Sequence, residues 1–411
     1  MVTLHRPHIS RRPLTGSAPI APAIPRGAGV QLLLGTIGFG VNFWAWALIG
    51  PLGSAYKTLL GLTPFQQSLV VAVPVIVGSV GRIPIGGLTD KLGAHTMFPM
   101  VSFLTIVPVL YVGHFGTTFS SLLIGGFFLG LGGTAFAVGV PFVNAWFPPA
   151  RRGFALGIFG VGMGGTAISA FTTVKLASAY YAALPFDLVA IVLALYGVLA
   201  LSLLRDAPGR IPSTSGFWAR IASTMRLKVT IQLSLLYAVG FGGFVAFSVY
   251  LPTYLKNAYQ LSADDASSRT AGFVVLAVIA RPVGGWLSDR FDPVPVLTTC
   301  FTIVFGLALV ASLHLTLIPG ATIAFLGMAA ALGAAAGGVF ALVARVAPAD
   351  RVGSITGVVG AAGGLGGFIP PLIMGFFFGF NGSYLIGFVL LAVLAGTATT
   401  YTWTNMRQGR V

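Results

Sequence analysis

Acidic residues are scarce in this sequence, which contains eight aspartates and no glutamate. Charged residues of both signs amount to 8% of the chain, whereas soluble domains carry about 25%. The hydrophobic fraction is 56% and the mean hydropathy is +0.93. A chain of this composition has too few charges to keep a folded surface in water. This excludes a soluble globular protein and predicts that the bilayer is its solvent.

Groups that commonly carry out catalysis are also scarce. Cys300 is the only cysteine, so no intrachain disulfide can form and the redox compartment cannot be inferred from cysteine usage. The five histidines show no metal-ligand spacing and lie in the N-terminal tail or near predicted helix ends: His5, His8, His95, His114 and His314. Nucleotide-binding loops and nucleophile motifs are absent. We therefore expect a protein that is not an enzyme and that has no metal or other cofactor.

Apolar runs long enough to span a bilayer, which takes about 20 residues, form two groups of six. The first group lies near 30–51, 67–88, 96–114, 118–143, 153–175 and 184–204. The second lies near 229–254, 270–287, 294–314, 319–343, 353–378 and 382–404. The sequence predicts an all-α membrane protein of twelve transmembrane helices, with one six-helix bundle over 29–204 and a second over 229–404.

The segments outside these bundles are basic. Residues 1–28 contain four arginines and five prolines and show no cleavable signal pattern, so we expect a disordered cytoplasmic tail. Residues 405–411 form a second short cytoplasmic tail. The linker 205–228 interleaves apolar and basic residues in its second half, as in an amphipathic helix on an anionic inner leaflet. A plain solvated linker fits equally well.

Basic residues are divided unequally between the two sets of loops. With both termini in the cytoplasm, seventeen of the 23 Lys and Arg residues fall on cytoplasmic segments, and four fall outside: Lys57, Lys175, Lys256 and Arg269. Membrane proteins carry such an excess on their cytoplasmic loops. The count predicts a multi-pass protein of the cytoplasmic membrane with both termini inside. It attributes the net charge of +15 to topology, so we expect no nucleic-acid partner.

The two halves share an internal repeat. Residues 81–91 match 280–290, with Arg82 and Arg281, and Asp90 and Asp289, at the same offset of 199. Glycines of the fifth and eleventh predicted helices recur at an offset of 200: Gly157, Gly160 and Gly164 match Gly357, Gly360 and Gly364. Parallel six-helix halves are typical of major facilitator transporters, which bind substrate near the midplane between the halves. Residues 87–93 and their copy resemble the cytoplasmic loop motif of that superfamily, and we expect its charged residues to stabilise one gate state: Asp90, Lys91, Asp289 and Arg290.

Arg82 and Arg281 are predicted to lie near the bilayer midplane. Each precedes its loop aspartate by eight residues, which is roughly 12 Å of helix, and half of the hydrocarbon core is about 15 Å. The aspartates lie at predicted helix ends or in loops, so a salt bridge to an intramembrane carboxylate has no partner. The unpaired cations predict an anionic substrate. Guanidinium can donate two parallel hydrogen bonds to a planar oxyanion, and a site with two cations fits a small monovalent anion.

Aromatic and glycine residues frame this predicted site. Tyr237 and Phe241 share one face of the seventh helix at i, i+4, Phe136 lies midway along the fourth, and Phe43 lies in the first. We expect these rings to line the anion site. Small residues spaced by three and four on the fifth and eleventh helices let transmembrane backbones approach closely. Close packing and sliding of the halves both fit this pattern.

From about residue 30 to 404 the chain resembles the nitrate/nitrite porter family of the major facilitator superfamily. The resemblance rests on these segments: 42–44 with 50–52, 81–82, 151–157, 241–248 and 360–367. It implies that Arg82 and Arg281 clamp the anion and that Tyr237, Phe241 and Phe136 line the site. Many members place an asparagine in the fifth-helix glycine motif, where this chain reads Gly162-Met163-Gly164-Gly165. One polar contact is therefore expected to be missing here.

The expected function is secondary transport of nitrate and nitrite by alternating access in a monomer. Uptake could occur by nitrate/nitrite exchange or by proton symport, and the lack of midplane Asp, Glu and His favours exchange. An exchanger of small carboxylates such as oxalate or formate would also need midplane cations. A non-transporting anion sensor is a further alternative, which the duplicated loop motif disfavours.

Overall fold

The computed structural model describes residues 24–148, 151–208, 217–346 and 352–406. Twelve helices in these ranges are long and apolar enough to span a membrane, as the sequence predicts. The N-terminal half contains α1 (Ala28–Leu60), α2 (Pro64–Leu92), α3 (Ala94–Phe115), α4 (Phe119–Trp146), α5 (Arg152–Ala179) and α6 (Leu184–Leu203). The C-terminal half contains α7 (Lys228–Tyr259), α8 (Ala263–Phe291), α9 (Pro293–Ser312), α10 (Leu317–Val343), α11 (Ser354–Asn381) and α12 (Leu385–Met406).

Several helices extend beyond their predicted ends. The eighth begins at Ala263, seven residues before the predicted start, and includes Asp264, Asp265 and Arg269 in its first turns. The Ser262 hydroxyl accepts from the Asp265 amide at 3.1 Å, and Arg269 pairs with Asp265 at 3.0 Å. Capping and an i, i+4 ion pair make these charges compatible with a helix, although their polarity ends the apolar run.

Four helices of the N-terminal half are interrupted near their centres. α1 breaks between Trp46 and Ile49, and α2 breaks at Gly81. α4 and α5 each tighten into a 3₁₀ turn, over Gly130–Thr134 and Val161–Gly164. Such breaks free backbone carbonyls and often mark functional segments of membrane helices. The two 3₁₀ turns supply partners to the buried arginines described below: the Gly133 carbonyl in α4 and the Met163 side chain in α5.

Small residues set the close approach of helices within a half. A Cβ at Gly165 of α5 would overlap the carbonyl oxygen of Gly40 in α1. Only glycine permits this approach, which holds α5 against α1 beside the 3₁₀ turn. The predicted close packing of the fifth helix is therefore present.

The linker contains a short helix, Phe217–Met225. Thr224 is buried and its hydroxyl donates to Ser354 Oγ of α11 at 3.1 Å. The helical alternative for the linker is thus confirmed, and its position on a lipid surface stays a prediction. Residues 1–23 and 407–411 of the predicted tails lie outside the described residues.

The two ends of the bundle are here called the inner and outer faces, after the orientation that the basic-residue count predicts. Lys91, Arg152 and Arg290 lie at the inner face, and Lys57 and Lys256 at the outer face. At the outer face His114 Nε2 lies 2.7 Å from Asp187 Oδ1, and the Tyr181 hydroxyl donates to Asp187 Oδ2 at 3.0 Å. The hydrogen bond to this carboxylate raises the pKa of Tyr181.

Candidate functional site

Arg82 lies immediately after the break in α2 and is 1% exposed. Its Nε donates to the Gly133 carbonyl oxygen, in the 3₁₀ turn of α4, at 3.2 Å. Its Nη1 donates to the Gly360 carbonyl oxygen of α11 at 2.6 Å. The first bond stays within the N-terminal half, and the second crosses to the C-terminal half.

Arg281 occupies the repeat-equivalent position in α8 and is 3% exposed. Its Nη2 donates to the Tyr237 hydroxyl of α7 at 3.3 Å, within its own half. Its Nη1 donates to the Sδ of Met163, in the 3₁₀ turn of α5, across the interface. Each arginine therefore donates one hydrogen bond within its own half and one to the opposite half. This reciprocity follows the sequence repeat.

Both guanidinium groups lie beside one pair of aromatic rings. Phe136 of α4 and Phe241 of α7 stack with ring centroids 6.3 Å apart and planes inclined by 22°. The Cζ of Arg82 lies 5.0 Å from the Phe136 centroid and 5.4 Å from the Phe241 centroid. The Cζ of Arg281 lies 5.7 Å and 5.8 Å from the same centroids. The two predicted cations and two of the predicted rings thus form one cluster.

Tyr237 and Phe340 extend this cluster on the C-terminal side. Tyr237 stacks on Phe241 with centroids 4.9 Å apart and planes inclined by 2°, as their i, i+4 spacing allows. Phe340 of α10 lies 4.9 Å from the Tyr237 centroid and 5.7 Å from the Arg281 Cζ. The face of the Phe340 ring adds a cation–π contact to Arg281.

Neither arginine bonds to a carboxylate among the described residues. Four aspartates bond elsewhere: Asp187 to His114 at 2.7 Å, Asp265 to Arg269 at 3.0 Å, Asp292 to Arg345 at 2.6 Å, and Asp206 to the Ala94 amide at 2.8 Å. An arginine at the centre of a spanning helix costs roughly 2.5–3.5 kcal/mol, and carbonyl, thioether and ring contacts offset part of that cost. Each guanidinium also has more N–H donors than the bonds above use. Both arginines can therefore donate further hydrogen bonds to a bound anion.

A small cavity of about 20 Å³ reaches Arg281. Its lining includes Phe136, Phe159 and Phe340 at the cluster, and Gly153 and Leu156 towards the inner end of α5. This volume holds about one water molecule. Side chains or whole helices must therefore move before a larger solute reaches the arginines from the inner face.

Phe43 lies one ring away from the arginine cluster. Its centroid is 4.3 Å from that of Phe39, which in turn lies 5.7 Å from that of Phe136. The neighbouring Asn42 amide donates to the Gly38 carbonyl and to Ser102 Oγ, each at 2.8 Å, and so ties α1 to α3. Phe43 supports the ring cluster from behind, whereas Arg82, Arg281, Tyr237, Phe241 and Phe136 meet in it.

The charged loop residues lie at the inner ends of α2 and α8. The Asp289 carboxylate approaches Gly153 of the opposite half, whose Cβ position would be 3.3 Å from Asp289 Oδ2. Gly153 is in the first turn of α5, where a carboxylate interacts favourably with the helix dipole. Arg290 covers the rings of Trp286 and Phe291, at 5.7 and 5.4 Å. Asp90 also has an interaction partner. Lys91 is exposed at the end of α2.

Sequence reasoning missed three groups of this site: the Gly133 carbonyl, the Gly360 carbonyl and Phe340. Both glycines lie in glycine-rich segments, which is a signal that the sequence shows. Which carbonyl faces an arginine depends on the 3₁₀ turn of α4 and on how α11 packs against α2. Phe340 is one of 32 phenylalanines, so its type alone could not distinguish it. The run Gly162-Met163-Gly164-Gly165 departs from the family pattern, and the Sδ of Met163 in this run lies beside Arg281.

Comparison with known proteins agrees with this architecture. A sequence model of the Major Facilitator Superfamily matches residues 35–371 and 233–408. The "Probable nitrate/nitrite transporter NarK2" of Mycobacterium tuberculosis is 47% identical over 386 residues, which is 93% of this chain and 98% of the relative. The chain belongs to the nitrate/nitrite porter family of the major facilitator superfamily. It is a multi-pass membrane transporter and not an enzyme.

Two further relatives and one solved structure are similar over most of the chain. The "Nitrite extrusion protein" of Bacillus subtilis is 37% identical, with 89% of this chain and 91% of the relative covered. The "Probable nitrate transporter NarT" of Staphylococcus epidermidis is 35% identical, with 88% and 92% covered. Among solved structures, a bacterial homologue of the human lysosomal transporter Spinster, inward-facing and occupied, has a TM-score of 0.68 at 17% identity. It covers 95% of this chain and 98% of its own, and shows the fold alone.

Proposed function

We propose that this porter carries nitrate and nitrite across the cytoplasmic membrane, with the anion held between Arg82 and Arg281. The observation that carries the proposal is the reciprocal pair of arginines, one from each half, beside the Phe136–Phe241 stack and without a described carboxylate partner. A planar oxyanion fits this arrangement, because guanidinium edges donate in its plane while ring faces contact its surface. The names of the relatives support nitrate and nitrite as its substrates.

Alternating access supplies the transport step in this proposal. Each arginine bonds to the opposite half, Arg82 to the Gly360 carbonyl and Arg281 to Met163 Sδ. An anion bound through the remaining donors of both arginines would join the halves at the midplane in addition to these two bonds. The halves could then rock about the filled site, opening one face as the other closes.

Contacts at both faces fit such a rocking motion. At the outer face Gln67 Nε2 donates to Thr253 Oγ1 at 3.2 Å, and Ser68 Oγ to the Tyr250 hydroxyl at 3.2 Å. At the inner face Asp289 approaches Gly153. Each of these contacts joins one half to the other. Opening towards the outer face therefore has to break the Gln67–Thr253 and Ser68–Tyr250 hydrogen bonds, and opening towards the inner face has to separate Asp289 from Gly153.

Exchange of nitrate for internal nitrite is the coupling that we favour. Uptake of a monovalent anion against an inside-negative potential costs about 2.3 kcal/mol per 100 mV, and exchange moves no net charge. The described Asp and His residues lie away from the arginine cluster, at helix ends and loops, so a side-chain proton relay through the cluster has no described member. Proton symport, with the proton carried by water or substrate, is the alternative.

Purified protein in proteoliposomes tests the substrate assignment. Uptake should be measured for nitrate, nitrite, formate and oxalate, with an anion-binding measurement on the same preparation in detergent. Nitrate and nitrite uptake well above that of the carboxylates supports the proposal. Preferred uptake of formate or oxalate would identify the carboxylate exchanger instead, and nitrate binding without uptake of any anion would identify a sensor.

A further inference from the structure

The sequence repeat extends to the outer corner of each half. Lys57 and Lys256 are separated by 199 residues, the offset that also relates Arg82 to Arg281. Each lysine lies in the last turn of the first helix of its half, Lys57 in α1 and Lys256 in α7. In both halves that helix ends on a left-handed residue, Gly61 with φ 63° and Gln260 with φ 55°. The outer corners are therefore structurally equivalent, and each presents one lysine.

Both lysines line the same cavity between the halves. Its volume is about 380 Å³, and its lining includes Ser54, Lys57 and Thr58 of α1 and Lys256 and Asn257 of α7. Lys57 and Lys256 are half-buried. The repeat thus brings two equivalent cations to one opening, as it brings two arginines to the midplane.

Neither lysine forms an ion pair with a described residue. The other charges of the outer face are engaged or lie off the cavity: Asp265 pairs with Arg269, Asp187 with His114, and Lys175 Nζ lies 3.7 Å from the Phe171 centroid. Asp264 is exposed on α8 and is not part of the lining. The positive charge at this opening is therefore not neutralised by a neighbouring carboxylate.

A polar closure between the halves adjoins the cavity at Ser54. Ser54 lines the cavity and accepts from Gln67 Nε2 at 3.5 Å, and the same nitrogen donates to Thr253 across the interface at 3.2 Å. Gln67 and Thr253 are each 1% exposed. These bonds close the interface between the halves next to the cavity.

We propose that Lys57 and Lys256 form an outer vestibule that concentrates small monovalent inorganic anions above the closed gate. Lys256 lies fifteen residues beyond Phe241 along α7, which is roughly 22 Å of helix. The vestibule is thus a site separate from the arginine clamp. It rests on the proposed function, because its cargo is the anion that the clamp binds. It adds a recruitment step, which acts on capture from the outer side and not on the rocking of the halves.

The expected size of the effect follows from Coulomb's law. A unit charge about 7 Å from an anion in a water-like dielectric raises the local anion concentration roughly threefold, and two such charges raise it somewhat less than tenfold. Because the cavity is open to solution, salt screens this attraction, with a Debye length of about 30 Å at 0.01 M and about 3 Å at 1 M. Clefts with one sign of charge speed the capture of counter-charged substrates in the same way.

The test compares Lys57→Gln, Lys256→Gln and the double variant with Lys57→Arg/Lys256→Arg and with Lys175→Gln as a matched control. Lys175 is a cation of the same face that does not line the cavity. The apparent KM and maximal rate for nitrate entering from the outer side are measured in proteoliposomes at about 10 mM and about 500 mM salt. We expect each single Gln variant to raise KM about threefold, and the double variant five- to tenfold, at low salt. Maximal rate, the Arg double variant and Lys175→Gln should match wild type.

High salt should reduce every KM ratio to less than about twofold. Three results would each overturn the vestibule: a KM within twofold of wild type at low salt in the double Gln variant, a rise of equal size at both salt concentrations, or the same rise in Lys175→Gln.

Failure of wild-type protein to transport nitrate or nitrite would instead count against the proposed function. The vestibule then has its own readout, which is labelling of lysines by an anionic amine reagent and by a neutral one, quantified by mass spectrometry. A higher anionic-to-neutral labelling ratio at Lys57 and Lys256 than at Lys175 supports it, and equal ratios overturn it.

Discussion

The two buried arginines each donate within their own half and across the interface, but to different kinds of acceptor. Arg82 donates only to backbone carbonyls, Gly133 and Gly360, whereas Arg281 donates to two side chains, Tyr237 and Met163. Both carbonyls are held by the backbone, Gly133 in the 3₁₀ turn of α4 and Gly360 within α11, while side chains can rotate away. At the residue scale, Arg281 is therefore the more adaptable partner of an anion, and Arg82 the more rigid one.

Lysine in place of either arginine is expected to abolish nitrate transport. Arg82→Lys and Arg281→Lys keep the charge, but an ammonium cannot reproduce the planar two-donor edge of guanidinium. We expect uptake below about 5% of wild type with unchanged membrane insertion, measured in proteoliposomes and by the elution profile of the purified protein. Arg345→Lys is a matched control, since Arg345 pairs with Asp292 at the inner face. Near-normal uptake by either buried variant would remove the clamp.

Loss of the Tyr237 hydroxyl is expected to weaken anion binding. In Tyr237→Phe, Arg281 loses a hydrogen-bond partner at 3.3 Å, and a hydrogen bond to a charged group contributes about 1.5–3 kcal/mol. We expect an affinity at least about tenfold lower, with the Tyr237–Phe241 ring stack retained. Phe241→Leu, which removes a stacked ring instead, should disturb binding less selectively. Unchanged affinity in Tyr237→Phe would assign that residue to packing.

Met163 is expected to tune discrimination between nitrate and nitrite. Its Sδ is a weak acceptor beside Arg281, whereas an asparagine there could both donate and accept. Met163→Asn should change the ratio of nitrate to nitrite affinity at least about threefold, measured by competition for binding. Met163→Leu, which keeps the volume and lacks the sulfur, should leave the ratio close to wild type. A ratio that Met163→Asn leaves unchanged would contradict a contribution of this position to selectivity.

At the element scale, glycines of the fifth and eleventh helices serve two different contacts. Gly165 admits α1 within one half, whereas a Cβ at Gly364 of α11 would overlap Ser79 Oγ of α2 in the other half. Gly357, seven residues earlier on α11, has no neighbour within 4 Å of its Cβ position. The close-packing and sliding interpretations of the glycine pattern thus apply to different residues.

The Gly364→Ala variant tests the interface contact. Its added methyl group must displace Ser79 or separate α11 from α2, and overpacking of this kind costs about 1–3 kcal/mol. We expect at least about a tenfold loss of transport rate in proteoliposomes, because the halves cannot close fully. Gly357→Ala, on the same helix, should transport like wild type. Equal rates for the two variants would show that contact at Gly364 does not limit the transport cycle.

At the scale of the whole molecule, exchange predicts transport without a proton gradient. Vesicles loaded with nitrite, with the pH gradient and the membrane potential collapsed by ionophores, should take up nitrate because the exchange is electroneutral. Vesicles without internal nitrite are the control and should take up little. If uptake vanishes in the loaded vesicles and returns with an inward proton gradient into nitrite-free vesicles, symport replaces exchange.

The fold was predictable to a large extent because the bilayer imposes it. Hydrocarbon requires every backbone group to be bonded within a spanning segment, so twelve apolar runs became twelve helices. Helix ends were less predictable, as in the early start of α8, because capping by Ser262 and the Asp265–Arg269 pair are local polar interactions that hydropathy does not register. The orientation of the termini and the monomeric state stay predictions.

The sequence by itself determined that Arg82 and Arg281 hold equivalent places in the two halves, because each precedes its loop aspartate by eight residues of helix. Their depth in the bilayer stays a prediction. The i, i+4 spacing also determined that Tyr237 and Phe241 share a face. The tertiary structure alone decided which groups the arginines meet: the Gly133 and Gly360 carbonyls, Met163 Sδ and Phe340. It also decided that Phe43 lies behind Phe39 and that Lys57 and Lys256 share one cavity. Spacing and periodicity are properties of a single helix, whereas these contacts depend on where helices break and how the two halves are rotated against each other.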